Sequence, residues 1–186
     1  MRPDSAKTAV LTLDIQEGLI SLVPGAEAVL PAAAKVTEDA REKGYFLLHV
    51  GIGFEPGYPE IGTRNKRFAM VKERGDFVKG SDSAKIHHEI LKPGDPVIYK
   101  NRVSAFAGSS LDIVLRSRGI ENLVLMGIST SGIVLSTLRQ AADLDFQCTI
   151  IKDGCFDRDP EVHRVLTEKI FTAQATVLTA QEFLVG

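Results

Sequence analysis

Two charged residues stand at the ends of apolar segments, where they could act as an acid–base pair. Asp14 closes Ala9-Val-Leu-Thr-Leu-Asp14, and Lys100 closes Pro96-Val-Ile-Tyr-Lys100. Alone, Asp14 could simply cap a strand or a helix, and Lys100 could pack its stem on the core while its ammonium group reaches water. If the two are buried side by side, Lys100 keeps the carboxylate charged and orients it, while burial raises the carboxyl pKa. Such a pair can serve as a base or as an acid.

Residues 124–139 supply a third candidate element. An apolar run ends at Gly127, a turn of Gly, Ser and Thr follows, and Val134 and Leu138 lie at helical spacing. This pattern predicts a strand, a tight turn and a helix. The backbone N–H groups of such a turn favour an anion or a developing oxyanion. Because α/β proteins contain several such turns, this one does not decide the function alone. The candidate turn residues are Ile128, Ser129, Thr130 and Gly132.

Together, the three segments resemble the isochorismatase-like hydrolase family over nearly the whole chain. The matching residues are Asp14, Lys100 in Lys100-Asn-Arg-Val-Ser-Ala-Phe106, and the turn Gly127-Ile-Ser-Thr130. In most of the family, the Asp takes a proton from a Cys in this turn, and the thiolate attacks an amide or a related carbonyl. Here Ile133 holds the position of that nucleophile. Because an alkyl side chain cannot attack a carbonyl, the usual reaction of the family cannot run at Ile133.

Other residues could in principle replace the missing nucleophile. Ser131 and Thr130 lie in the same turn, but the sequence places no His or Lys base beside either alcohol. Cys155 follows a predicted strand and could face the same crevice. Such a cysteine more commonly serves as a small apolar core residue whose thiol is inert. These alternatives stay open at the level of the sequence.

A second branch of the family offers a reason for an aliphatic residue at the position of Ile133. The true isochorismatases hydrolyse a vinyl ether, which needs an acid and a water molecule rather than a covalent nucleophile. Some of them carry an aliphatic residue here, and Lys100-Asn-Arg-Val-Ser-Ala-Phe106 is similar to their K-x-R-x-S-A-F. Their turn has the pattern G-[VI]-Y-A-H, however, and Gly127-Ile-Ser-Thr-Ser131 contains neither the Tyr nor the His. The family also implies a cis peptide bond at Ile128–Ser129.

Two classes of function follow from this resemblance. The first is a hydrolase that acts on a small carboxylate or carbonyl-containing metabolite by acid–base catalysis at Asp14 and Lys100, with vinyl ether hydrolysis as one candidate reaction. The second is a catalytically inactive family member that binds a small molecule or serves in assembly. Residues 51–95 should shape the substrate pocket but contain no recognisable motif. The candidate pocket residues are Gln16, Tyr58 and Phe106.

The histidines do not form a recognisable ligand pattern, and we expect neither a metal ion nor a cofactor. His49 closes an apolar segment and is predicted to be a core histidine. His87 and His88 are adjacent on a predicted helix, so they should face different ways. His163 is expected at the exposed start of another helix.

Length and composition suit one globular domain spanning residues 1–186. The chain is 44% hydrophobic and 25% charged, with a formal net charge of −2, so nucleic acid is not an expected partner. No apolar run is long enough for a membrane span, and we expect a cytoplasmic protein. Cys148 and Cys155 are not expected to form a disulfide framework. Apolar residues Phe54, Tyr58 and Phe68 suggest a surface for a homo-oligomer, a dimer or a tetramer.

Strand and helix patterns alternate along the chain. This alternation predicts an α/β fold in which a six-stranded parallel, Rossmann-like sheet lies between two layers of helices. The resemblance implies the isochorismatase-like hydrolase fold. Residues 16–25 are predicted to be a loop, and residues 83–91 are the only predicted helix within the irregular segment. In a parallel sheet, strand ends such as Asp14, Lys100 and Gly127 meet at one edge, where ligands bind.

Overall fold

Six parallel strands form a single sheet in the computed structural model, which describes residues 3–186. The strand order is β3-β2-β1-β4-β5-β6, so the order reverses between β1 and β4, where open α/β sheets form their ligand crevice. The predicted six-stranded parallel sheet is confirmed. The strands are β1 (Thr8–Leu13), β2 (Phe46–Ile52), β3 (Val97–Lys100), β4 (Asn122–Ile128), β5 (Gln147–Phe156) and β6 (Ala175–Leu178).

Helices connect the strands and cover both faces of the sheet, because the crossovers run outward from β1 in opposite directions. This is the predicted three-layer α/β/α arrangement. None of these helices is long and apolar enough to cross a membrane, as judged over residues 3–186. The helices are α1 (Glu17–Leu22), α2 (Leu30–Glu42), α3 (Lys66–Arg74), α4 (Leu111–Ser117), α5 (Leu135–Asp143), α6 (Pro160–Val165) and α7 (Ala180–Val185).

Helix starts follow the sequence signals closely. Asp159 caps α6 by accepting hydrogen bonds from the N–H groups of Glu161 and Val162, and Pro160 occupies the first turn. At α7, Thr179 and Glu182 form the expected capping box. Such caps satisfy backbone donors that have no partner within the helix.

The sequence prediction was wrong at three places between β1 and β3. Residues 17–22 form α1 rather than a loop, and α3 lies within the segment expected to be irregular. Residues 83–91 are not a helix, and only Asp82–Ala84 forms a 3₁₀ turn there. Residues 85–88 run beside residues 15–17 instead: the His87 N–H donates to the Ile15 carbonyl at 2.9 Å, and the Glu17 N–H donates to the Lys85 carbonyl at 3.0 Å. These bonds replace those of a helix.

A second apolar cluster anchors α3 beside the carboxyl edge of the sheet. Phe54, Tyr58 and Phe68 are buried in it, and the ring of Phe54 lies 5.8 Å from that of Tyr58 and 5.6 Å from that of Phe68, between centroids. These aromatic residues are therefore not the exposed surface on which we based the prediction of an oligomer. The oligomeric state itself stays a prediction. The other buried members of the cluster are Ile52, Ile61, Val71 and Phe77.

Candidate active site

A cavity of about 350 Å³ opens at the carboxyl ends of the strands. Asp14 follows β1, Lys100 ends β3, and Ile128 ends β4, so the sheet brings side chains from separate segments to one place. Most of the remaining wall is apolar, and part of it comes from α1 and α3. The apolar lining residues include Leu19, Val23, Ile52, Phe68, Phe77, Val103, Ile133 and Phe156.

Asp14 and Lys100 form a buried ion pair in this cavity. Lys100 Nζ lies 2.9 Å from Asp14 Oδ2, and the two side chains are 1% and 9% exposed. The ammonium group also donates to the Arg102 carbonyl at 2.9 Å, which fixes its position. The other carboxylate oxygen, Asp14 Oδ1, is buried and has no hydrogen-bond partner among the described residues. The protein therefore leaves one acid or base oxygen of a cavity residue without a hydrogen-bond partner of its own.

The backbone at Asp14 holds the carboxylate in an unusual orientation. Asp14 has φ +55°, in the left-handed region, while its N–H donates to the Val50 carbonyl at 2.8 Å. Asp and Asn tolerate this conformation better than most residues because their short polar side chains can bond locally. Lys100 lies two strands away, beside Ile52 of β2, and its long side chain extends past β2 to reach Asp14.

Burial dominates the electrostatics of the pair. It raises the pKa of Asp14 above the ordinary value, although the charge and hydrogen bond of Lys100 and the charge of Arg67 act in the opposite direction. Burial likewise lowers the pKa of Lys100, against the opposing effect of Asp14. The Ile52 N–H group lies near the Asp14 carboxylate, but its hydrogen bond goes to Gln16 Oε1 at 2.9 Å. A carboxyl group of this kind can change its protonation state within a catalytic cycle.

The turn after β4 closes one side of the cavity. The Ile128–Ser129 peptide bond is cis, as the family resemblance predicts. Gly127 is required by packing, because a Cβ there would clash with the Leu13 carbonyl oxygen on β1. The Gly132 N–H donates to the Ser129 carbonyl at 3.1 Å, and the Ser131 N–H donates to Asp157 Oδ2 at 2.7 Å. Contrary to expectation, these two donors are engaged within the protein rather than offered to an oxyanion.

A histidine that the sequence analysis placed on an exposed helix start supports this turn. His163 of α6 is half-buried, and its Nδ1 shares a hydrogen bond of 2.8 Å with Thr130 Oγ1. Thr130 is fully buried and is not among the residues lining the cavity. Although the hydroxyl group does have a histidine partner, it is therefore not placed to attack a substrate. Ile133 and Ser129 are the turn residues whose side chains face the cavity together with Ile128.

The three predicted pocket residues lie elsewhere, so that prediction was wrong. Gln16 is fully buried and braces the loop, donating to the carbonyls of Ile52 at 2.9 Å and Ala84 at 2.7 Å. Tyr58 is directed into the second apolar cluster and donates its hydroxyl to the Asp76 carbonyl at 2.9 Å. Phe106 packs in the main core, 6.0 Å from the ring of Phe146.

Arg67 is a charged cavity residue that the sequence analysis missed. It projects from α3, its charge acts on both Asp14 and Lys100, and its guanidinium group would lie 3.4 Å from a Cβ on Gly132. No ion pair of Arg67 is found within residues 3–186. By contrast, the guanidinium group of Arg74, also at the cavity wall, pairs with Asp76 Oδ2 at 2.7 Å.

Sequence signals for α3 were present. Asn65 caps the helix by accepting the Phe68 N–H at 3.2 Å, Gly75 ends it with φ +74°, and Phe68 and Val71 occupy one helical face. The neighbouring glycines and prolines obscured this short pattern. If the helix had been recognised, Arg67 would have been noticed as the residue directly before the inward-facing Phe68.

His49 is the core histidine that the sequence predicted. It is fully buried, its Nδ1 shares a 2.7 Å hydrogen bond with Thr12 Oγ1, and its Nε2 lies 3.3 Å from Asp95 Oδ2. Burial lowers its pKa. Both ring nitrogens therefore have partners within the protein.

Neither cysteine is placed as a nucleophile. Cys148 and Cys155 are free and buried, and burial raises the pKa of each thiol to about 12. Cys155 is not among the residues lining the cavity. Since the thiolate is the reactive form, both side chains should be inert in the folded protein.

We therefore expect Ellman's reagent to label neither thiol at a measurable rate in the native protein. Both should react within minutes once the chain is unfolded in guanidinium chloride, which supplies the internal control. Absorbance of the released thiolate at neutral pH gives the measurement. Rapid native labelling of Cys155, lost in Cys155→Ser, would show that this thiol is accessible after all.

Comparison with known proteins places this geometry in context. The protein-family model of the isochorismatase domain matches residues 8–182 of the sequence. The isochorismatase family protein YwoC of Bacillus subtilis (strain 168) is 31% identical over 182 residues, covering 97% of this chain and 94% of the relative. Ureidoacrylate amidohydrolase RutB of Azorhizobium caulinodans is 30% identical over 201 residues, covering 95% and 88%. The structure of N-carbamoylsarcosine amidase from Thermoplasma acidophilum superposes with a TM-score of 0.78 at 27% identity, covering 94% of this chain and 96% of that chain.

Proposed function

Because the chain belongs to the isochorismatase family, we propose that it is a hydrolase in which Asp14 and Lys100 act by acid–base catalysis on a small carboxylate or carbonyl-containing metabolite. The observation that carries the proposal concerns Asp14, which lines the cavity and whose buried oxygen Oδ1 has no hydrogen-bond partner among residues 3–186. Lys100 holds the other oxygen at 2.9 Å and thereby aims the free one. No thiol lines the described cavity, so water is the expected attacking group.

As an acid, Asp14 fits the hydrolysis of a vinyl ether. Burial raises its pKa, which favours the protonated carboxyl group, and this proton would pass from Oδ1 to the enol carbon of the substrate. Water then attacks the resulting oxocarbenium carbon and returns a proton to Asp14, after which the carbon–oxygen bond breaks. Lys100 stabilises the carboxylate that exists between the two proton transfers.

As a base, the same residue fits hydrolysis of an amide-like bond. Ionised Asp14 would take a proton from water, the hydroxide would attack the carbonyl carbon, and the proton would pass on to the departing nitrogen. The names of two relatives, ureidoacrylate amidohydrolase and N-carbamoylsarcosine amidase, support testing ureido and carbamoyl substrates. Both routes use one oxygen of Asp14, so they differ in substrate rather than in machinery.

Arg67 supports a substrate that carries a negative charge. With Asp14 and Lys100 compensating each other, the unpaired guanidinium group leaves the described inner cavity with an excess of positive charge. A carboxylate is the natural partner, because its oxygens match the planar donors of arginine. The apolar wall would then contact the remainder of a small molecule.

Purified protein should therefore be screened against vinyl ethers, ureido acids, amides and imides, each with and without a carboxylate. We expect turnover within one of these classes, restricted to its carboxylate-bearing members. Arg67→Met should lower kcat/KM for the active compound by roughly 10- to 100-fold, the range expected for a lost hydrogen bond to a charged group. Arg116→Met, an exposed arginine on α4 paired with Asp112, is the matched control.

A second candidate function is binding without turnover, and the specific observation that favours it is Ile133 on the cavity wall. A family member without catalysis would still bind an anion at Arg67. Calorimetry on the compounds of the same screen separates the two: saturable binding with no product after prolonged incubation favours the binding protein. Turnover that disappears in Asp14→Asn favours the hydrolase.

A further inference from the structure

We propose that Glu17, His87 and His88 bind a divalent transition metal ion such as Zn²⁺, at a site separate from the cavity. One oxygen or nitrogen atom from each residue lies within 4.8 Å of the others. A carboxylate and two imidazoles are ligands that Zn²⁺, Co²⁺ and Ni²⁺ accept readily. The three residues are not among those that line the cavity. Contrary to the sequence prediction, the rings of His87 and His88 lie on the same side of the chain.

The backbone holds these ligands in register. Residues 15–17 and 85–88 run side by side, with a bridge between Gln16 and Ile86. Within this pairing, the His88 N–H donates to Glu17 Oε1 at 3.1 Å. Glu17 is also the first residue of α1, so its position is set by the helix start. Ligands that are fixed before the ion arrives lose little conformational freedom on binding it.

His87 is the residue that points to a ligand rather than to a surface cluster. Its side chain is only 7% exposed, yet Nε2 has no hydrogen-bond partner among the described residues. The nearest carboxylate oxygen, Glu17 Oε2, is 3.6 Å away. Metal–ligand bonds of about 2.0–2.1 Å in a tetrahedral site put neighbouring ligand atoms about 3.4 Å apart, which is close to this separation. An imidazole nitrogen of a largely buried residue is thus already at coordination spacing from a carboxylate.

His88 completes the set of ligands. Its ring stacks on that of His87, with centroids 4.4 Å apart and an angle of 29° between the planes. His88 Nδ1 and Glu17 Oε1 share a hydrogen bond of 2.8 Å. A bound metal ion would replace the proton of this bond. The nearby ammonium group of Lys85 pairs with Asp82 at 2.6 Å. Lys85 thus forms its ion pair with Asp82 and not with Glu17, although its charge still acts on the Glu17 carboxylate.

Binding through His87 Nε2 requires one local adjustment. The Glu89 N–H approaches His87 Nδ1 at 3.4 Å, near the limit of a hydrogen bond. A metal ion on Nε2 places the ring proton on Nδ1, so this weak contact is lost. In return, the ion links α1 to residues 87–88, and α1 carries Leu19 of the cavity wall and leads directly into Val23, another wall residue.

The test uses tag-free, metal-stripped protein titrated with Zn²⁺ by calorimetry and with Co²⁺ by visible absorption. We expect one ion per chain, Co²⁺ bands characteristic of nitrogen and oxygen ligands, and a melting temperature that rises with Zn²⁺ concentration. Mg²⁺ should have little effect, because it prefers oxygen ligands and retains its water. These measurements need no substrate, so their result is independent of the proposed hydrolase activity.

Variants decide whether the ion occupies these residues. Glu17→Gln and His88→Ala should each weaken Zn²⁺ binding by at least about tenfold, since even partners of ligands have effects of this size. The His88 side chain is 75% exposed, so its removal should leave the fold intact. Asp112→Asn, an exposed carboxylate on α4, should bind like the wild type. The proposal is overturned if the wild type shows no saturable binding, or if both site variants bind as tightly as Asp112→Asn.

Discussion

Asp14→Asn should reduce kcat by on the order of 10²–10⁴-fold, the usual contribution of a general acid or base. The amide keeps the size of the side chain, and its oxygen can still accept a hydrogen bond from Lys100. Asn also tolerates the left-handed backbone, where φ is +55° at Asp14. The substitution therefore removes the titrating oxygen while disturbing the cavity little, and steady-state kinetics with the substrate found in the screen measures the loss.

The matched control is Asp112→Asn, which makes the same change at an exposed ion pair on α4. It should retain full activity, and circular dichroism should show both variants folded. Turnover by Asp14→Asn within about threefold of the wild type would mean that another group moves the proton. Ser129, whose side chain faces the cavity, would then be the next residue to replace.

Lys100→Met should also lower activity, by at least about 10²-fold, because it removes the ammonium group that stabilises ionised Asp14. The variant makes a further prediction about pH. Lys100 opposes the effect of burial on Asp14, so its removal should raise the Asp14 pKa further. Whether Asp14 works as acid or as base, the limb of the kcat/KM profile that it controls should move to higher pH.

The pH dependence of folding stability should also change in Lys100→Met, and its direction can be predicted. In Lys100→Met, the pKa of Asp14 is higher in the folded than in the unfolded chain, so the folded chain binds the proton more tightly. The resulting stabilisation is present below the unfolded pKa and is lost as pH rises through the folded one. Thermal melts should therefore show Lys100→Met losing more stability than the wild type between acidic and neutral pH. Lys7→Met, at an exposed ion pair with Glu121, should follow the wild type, and equal pH profiles in all three proteins would contradict the assigned role.

Much of the fold was predictable because its strands are buried on both faces. All six residues of β1 are buried, and such strands appear in a sequence as apolar runs bounded by a polar residue. Asp14 and Lys100 were found for this reason, since each follows or ends such a run. Their 2.9 Å contact could be expected only from the family resemblance and from the meeting of parallel strands at one edge.

The missed elements share a physical cause, which is that local signals were overruled by tertiary contacts. Residues 16–25 were predicted to be a loop, but residues 17–22 form α1, and its Gly18 packs so closely on Ser83 that a Cβ would lie 2.6 Å from the Ser83 carbonyl oxygen. Residues 83–91 have helical spacing, but the chain hydrogen-bonds to residues 15–17 instead. Tyr58 resembled a pocket residue because nothing in the sequence indicated the second apolar cluster that buries it. Such contacts join distant parts of the chain, and no local pattern encodes them.

The place of Lys100 in the sheet ties the candidate site to one of its two short edge strands. β3 has only four residues, lies at the edge of the sheet, and pairs with β2 alone among the described strands. Edge strands exchange their amide hydrogens through local openings that leave the central strands intact. Each opening of β3 would withdraw the ammonium group and leave Asp14 buried without its counter-charge. We therefore expect fraying of β3 to limit the lifetime of the working site, while β1 and β4 keep the molecule folded.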